Sequence, residues 1–180
     1  MGSASADPDT RSLKINIRSE TEADITAICE VTKTAFKDDP HGNQTEHLIV
    51  DALRTSGCLT VSLVAEIDDA VVGHVALSPV SISDGASDWY GLGPISVMPA
   101  YQGKGVGSAL MNDALATLKA MDAAGCVLLG DPEYYRQFGF TVDSRLQFPG
   151  VPTEYFQALL FNGAMPEGDV TYHDSFYALG

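Results

Sequence analysis

Three glycines at alternate positions, Gly103, Gly105 and Gly107, stand between a strand-like run and the longest amphipathic stretch of the chain. Trp89 to Val97 reads as a strand, which Pro99 stops. From Val106 to Asp122, Val106, Leu110, Ala114, Leu118 and Met121 recur on one face, the period of a helix resting on a core. Strand, glycine turn and helix in immediate succession commit this region to an α/β arrangement. The glycines let the backbone approach a ligand closely and turn successive N–H groups into one concavity. The helix start adds four unpaired donors and about half a positive charge. Together they form an anion site suited to a phosphate or pyrophosphate. Lys104, one of 10 lysines and arginines, lies inside the turn. A dinucleotide-binding turn requires glycine at position 108, where the chain has Ser108, and a triphosphate loop requires Ser or Thr directly after the lysine, where Gly105 stands. Spacing alone leaves a plain tight connection as the competing reading.

The rest of the chain supplies the sheet. Lys14 to Arg18 alternates like a half-buried strand. Thr21 precedes Glu22 and Asp24 as a helix start, and a helix runs to about Lys37. Asp38 to Gly42 breaks it, and a second helix spans about Gln44 to Thr55, ending at Gly57. Leu59 to Ile67 and Val71 to Ser81 form a hairpin around Asp68-Asp69-Ala70. Cys126 to Leu129 is a buried strand, followed by a short helix around Pro132 to Phe138. Phe140 to Asp143 and Tyr155 to Phe161 read as later strands, with Val170 to Tyr177 as a last one. We expect a single domain over residues 13–180, with 1–12 an uncommitted tail.

Charge narrows the partners. The net charge is −14, and so acidic a chain repels phosphate backbones and anionic lipid surfaces, which argues against nucleic-acid and membrane partners. A cationic small molecule or basic peptide is attracted instead, although an acidic surface also serves solubility. No apolar run approaches membrane-spanning length, and no apolar leader-like run follows Met1. Cys29, Cys58 and Cys126 are odd in number and lack metal-ligand spacing, so we expect free thiols, a cytoplasmic location and no metal.

Gln102-Gly103-Lys104-Gly105-Val106-Gly107 resembles the Arg/Gln-x-x-Gly-x-Gly/Ala signature of the GNAT acetyltransferases. Ile95-Ser96-Val97-Met98-Pro99 is similar to the strand end that precedes it in that family, and Tyr135-Arg136-Gln137-Phe138-Gly139-Phe140 to its Tyr-x-x-x-Gly-Phe segment. The likeness covers about residues 14–145, with 148–180 a C-terminal extension. Through Gly130 to Tyr135 it resembles more closely a poorly characterised bacterial branch of predicted acetyltransferases.

The resemblance implies a mixed, mostly antiparallel central sheet with helices on both faces and a splayed strand pair at a cofactor cleft. It implies acetyl-CoA as co-substrate. The pyrophosphate would lie on Gln102, Gly103, Lys104, Gly105, Val106, Gly107 and Ser108, and the pantetheine arm along the backbone of Ile95, Ser96 and Val97. Tyr135 is implied as the proton donor to the departing thiolate, adjacent Tyr134 pointing away. The implied acceptor is an amine of a small molecule or peptide, and the implied state a monomer or homodimer. The family often has Asn near position 128, where this chain has Leu128, so no cofactor contact is carried over there. Relatives also often place Glu on the Trp89–Val97 strand, where no acid occurs. His74, His41 or a water chain remain as proton acceptors. Phe36, Trp89 and Tyr90 are candidates for the acceptor wall, or for the core. A non-catalytic acyl-CoA sensor is the alternative function.

Overall fold

The computed structural model describes residues 14–39 and 44–178. Along the chain the strands are β1 (Asn16–Ser19), β2 (Val61–Ile67), β3 (Ala70–Pro79), β4 (Ser81–Ile82), β5 (Trp89–Val97), β6 (Gly125–Leu129), β7 (Leu146–Gln147), β8 (Phe156–Leu160) and β9 (Gly168–Thr171). The helices are α1 (Ile25–Phe36), α2 (Glu46–Thr55), α3 (Val106–Ala120), α4 (Pro132–Tyr135) and α5 (Ser175–Ala178). Six strands form one sheet in the order β1-β2-β3-β5-β6-β8, antiparallel except for β5 against β6. This is the mixed, mostly antiparallel sheet the sequence led us to expect.

Local chemistry sets the elements. Asp68 and Asp69 take φ of 51° and 64°, the left-handed pair that turns a right-twisted hairpin, and short acidic side chains tolerate it. At the start of α1 the Thr21 N–H donates to the Asp24 carboxylate at 2.7 Å. Arg18 holds the same carboxylate with two bonds and also pairs with Glu66 on β2, which pins β1 to the helix start. Gly57 ends the α2 region at φ 77°.

Helix α3 packs Val106, Leu110, Met111, Ala114 and Leu118 onto one sheet face, against Leu63, Ala65, Val75, Leu77, Cys126 and Leu128. Met121, expected on that face, is 42% exposed because the helix has ended one residue earlier. On the opposite face Ile28 of α1 and Val50 of α2 meet Val64. Farther along that face lies a second core of Trp89, Val127, Phe156, Val170 and Tyr172, closed by a small sheet of order β4-β9-β7.

Two expected strands change. Phe140–Asp143 makes a single bridge, Thr141 to Ala158, instead of a strand. The Val170–Tyr177 run is strand only to Thr171. His173 Nδ1 then accepts the Ser175 N–H at 3.1 Å, and the chain turns into α5.

Candidate active site

Strands β5 and β6 pair through three rungs, Trp89–Gly125, Tyr90–Cys126 and Gly91–Val127, and then part. The cause lies in β5. Val75 opposes Ile95 while Leu77 opposes Leu92, so β5 carries one extra residue at Gly93–Pro94, a bulge that bends the strand. Pro94 has no N–H to offer a ladder. Past the bulge the antiparallel alternation fixes where the backbone points. The Met98 N–H donates to Val72 O at 2.8 Å, which makes Gly73–Val97 a non-bonded pair. Val97 and Ile95 therefore turn their N–H and C=O groups away from β3, into the gap facing β6.

The gap opens onto a cleft of ≈ 320 Å³ lined by Ile95, Val97, Gln102, Gly103, Gly105, Gly107, Ser108, Tyr134 and Tyr135. The glycine turn and the bulged strand are thus brought together with the tyrosine pair. Gly103 and Gly105 have φ of 74° and 88°, and a Cβ at either would meet nothing within 4 Å. Their requirement is conformational, and the space before them is open. At the helix start the Ala109 N–H is the first to close back, on Gly105 O at 3.0 Å. The N–H groups of Val106, Gly107 and Ser108 precede that bond and have no carbonyl one turn earlier.

Not every expected residue contributes a side chain. Ser96 points to the other face, its Oγ 3.4 Å from Thr32 Oγ1. Val106, the first residue of α3, buries its side chain in the core, so only its backbone is available. Lys104 is exposed and lies outside the cleft lining. Gln102 turns back, its Nε2 donating to Val97 O at 3.1 Å, and so ties the turn to the strand.

Tyr135 is seated by a glycine. A Cβ at Gly130 would lie 2.3 Å from its ring, so the Gly130-Asp131-Pro132 stretch makes room for the tyrosine. Asp131 Oδ1 accepts the Glu133 N–H at 2.9 Å and starts α4. Gln157, buried on β8, donates to Gly130 O at 3.0 Å. Burial, followed by Tyr134 and the Asp131 carboxylate, pushes the Tyr135 phenol up to about 12. Tyr134, expected to point away, also lines the cleft: its ring meets that of Tyr135 edge-on at 4.8 Å. Its hydroxyl stands 3.1 Å from where a Cβ of Gly107 would be. α4 lasts four residues before tightening to a 3₁₀ turn, so ideal helix angles mislead there.

His74 is fully buried, with Nε2 2.7 Å from Ser62 Oγ. Desolvation lowers its pKa to about 4, and it lies off the cleft. His41 falls outside the described residues. Trp89 is in the second core and Tyr90 packs against the α3 side. No cluster suited to a metal ion occurs among the described residues.

A second cavity, of ≈ 500 Å³, adjoins the fork. Gly93 and Pro94 of the bulge form part of its wall, beside Phe36 of α1, Glu46 and Ile49 of α2, Leu129 of β6, and Phe148 to Val151, Tyr172 and Phe176 of the C-terminal extension. Glu46 and Tyr172 were not singled out from sequence; Glu46 reads there as an ordinary acid in a helix first turn. A further hollow at Ser19, Arg54 and Met121 touches neither β5 nor α4.

A sheet forked at a bulge, with a glycine-turn helix start and tyrosines across the gap, is the arrangement the acetyltransferase resemblance implies. The model of the Acetyltransferase (GNAT) domain matches residues 16–142, and the chain belongs to that family. The Escherichia coli K12 protein named "Uncharacterized N-acetyltransferase YhbS" is 34% identical over 167 residues, covering 89% of this chain and 97% of that one. A GNAT family acetyltransferase from Brucella melitensis, solved in complex with acetyl-CoA, is 48% identical with a TM-score of 0.81, over 91% of this chain and 98% of that one. The structure of YhbS from Escherichia coli in complex with CoA is 32% identical with a TM-score of 0.83, over 93% and 94%. Among the described residues no helix is long and apolar enough to cross a membrane.

Proposed function

We propose that the chain transfers an acetyl group from acetyl-CoA to the amine of a small molecule or peptide, directly within a ternary complex. One observation carries this reading: unpaired helix-start amides, outward-facing strand amides and the half-buried Tyr135 border the same cleft. The family membership and the relatives solved with acetyl-CoA or CoA support the choice of ligand.

The cofactor supplies an activated thioester. The turn from Gln102 to Ser108 and the start of α3 hold its pyrophosphate by backbone donors. The amides of Ile95 and Val97 extend the sheet to the pantetheine arm and polarise the acyl carbonyl. A lysine-like amine has a pKa near 10.4, so at pH 7 about one molecule in 2,500 is neutral, a cost of about 4.6 kcal/mol. The neutral nitrogen attacks the carbonyl carbon, the N–C bond forms, the C–S bond breaks, and nitrogen loses its proton to water. Among the described residues the cleft lining contains no carboxylate or histidine. Tyr135, held near 12, stays protonated throughout the neutral range. Complete transfer to a thiolate of pKa ~8.5 runs uphill, so its part is to donate a hydrogen bond as charge grows on sulfur. We assign the reaction to the cytoplasm, which suits three cysteines that all carry free thiols.

Calorimetric titration with CoA, ATP and NAD, paired with CoA release in an amine screen, tests the reading. CoA is expected to bind in preference to the other two. Tyr135→Phe is expected to lower kcat about 10²-fold and to leave the CoA Kd within about twofold. Tight CoA binding without release for any amine would turn the assignment to an acyl-CoA sensor.

A further inference from the structure

The two tyrosines of α4 divide the first cleft between them. Tyr135 lays its ring against Gly130, just past β6. Tyr134 turns to the first turn of α3 instead, with its hydroxyl 3.1 Å from where a Cβ of Gly107 would be. Its ring is held edge-on against Tyr135 at 4.8 Å and Phe138 at 5.6 Å. Its carbonyl accepts the Gln137 side chain at 2.7 Å. The hydroxyl has no hydrogen-bond partner among the described residues, and Tyr134 is 36% exposed. A free, accessible donor therefore faces the helix-start amides from across the cleft.

A diphosphate on those amides has few other donors to meet it. Among the described residues the cleft lining holds no lysine or arginine, and Lys104 is exposed outside it. The chain as a whole carries a net charge of −14. Neutral donors must therefore hold the ligand, and hydrogen bonds to a charged acceptor are the stronger kind. The glycine turn and the start of α3 form one wall, so their amides reach the anion from one side only. Oxygens directed at α4 are left to water unless a side chain of α4 reaches them. Gly107 keeps the way clear, since an alanine methyl there would crowd the Tyr134 hydroxyl at 3.1 Å.

We propose that Tyr134 is a ligand of the CoA diphosphate: its hydroxyl donates a hydrogen bond to a diphosphate oxygen from the wall facing the glycine turn, so that the cofactor is gripped from two sides. The inference rests on the CoA-binding half of the acetyl-transfer reading and is independent of the transfer step. Tyr135 is left to the thioester, and the neighbouring tyrosines serve different parts of one ligand.

The test is calorimetric titration of the full-length wild type and Tyr134→Phe with CoA, beside phosphorus NMR spectra of CoA bound to each. Phenylalanine keeps the ring and its contacts with Tyr135 and Phe138, so Tm is expected to hold. The CoA Kd and the acetyl-CoA KM are expected to rise about tenfold, with kcat within about twofold of wild type. The bound diphosphate resonances are expected to move between the two proteins while that of the ribose phosphate stays. A merely structural tyrosine would leave the diphosphate resonances alone. A CoA Kd within about twofold of wild type overturns the assignment, and so does a raised Kd with unmoved diphosphate resonances. CoA binding without acetylation of any amine would end the transfer reading and leave this assignment to stand or fall on the Kd and the spectra. Failure of the wild type to bind CoA sinks both.

Discussion

Gly130 shows how a missing side chain positions a reactive one. Its Cα hydrogen faces the Tyr135 ring at a distance no methyl would permit, and Gln157 anchors its carbonyl. Gly130→Ala should push the ring out of the cleft. We expect a fall in kcat of about tenfold or more with the CoA Kd little changed, measured by CoA release beside calorimetry. His74 carries a different prediction. Its folded pKa of about 4 lies below the unfolded value near 6.5, so the unfolded chain binds more protons between those values. The stability it confers is complete above about pH 6.5 and is lost as pH falls toward 4, by about 3 kcal/mol. Chemical denaturation across that window should show the slope, and His74→Gln should flatten it. From sequence a histidine on an apolar strand was open to either a catalytic or a structural reading. Burial and the Ser62 bond, which depend on strand register, decide for the structural one.

At the scale of elements, the glycine turn and α3 were legible because their signals are local: positive φ, a breaker before, an apolar stripe after. β5 was equally legible as a strand, yet its bulge was not, since a bulge is a relation to β3. The two-residue strands β4 and β7 carry no periodicity and exist through tertiary pairing alone. Phe140–Asp143 has strand-like residues but only Ala158 as a partner, so alternation misled. The second cavity draws on α1, α2, β5, β6 and the C-terminal extension, and no single stretch announces it. The helix start yields a prediction with opposite signs. Gly107→Asp places a carboxylate in the first turn of α3, which should stabilise the helix by about 0.3–1 kcal/mol. The same charge should weaken CoA binding at least 10²-fold by opposing the pyrophosphate. Thermal unfolding and calorimetry on one preparation would read both.

Over the whole molecule, two cores flank one sheet, and Trp89 links the forked strand to the smaller of them. It is 2% exposed and its ring closes on Gly125, where a Cβ would lie at 2.3 Å. Trp89→Ala should cost about 3–5 kcal/mol in urea unfolding. The C-terminal extension shares that core through Val170 and Tyr172, so stability and the shape of the second cavity are coupled there.

The fork also leaves an unfinished edge inside the molecule. Ile95 and Val97 turn their amides toward a neighbour strand that has already veered off. In the free protein those two amide protons should trade with deuterium far faster than their companions at Ser96 and Met98, which face β3. Once CoA is bound they should become slow, because a ligand lying along that edge serves the sheet as its missing strand.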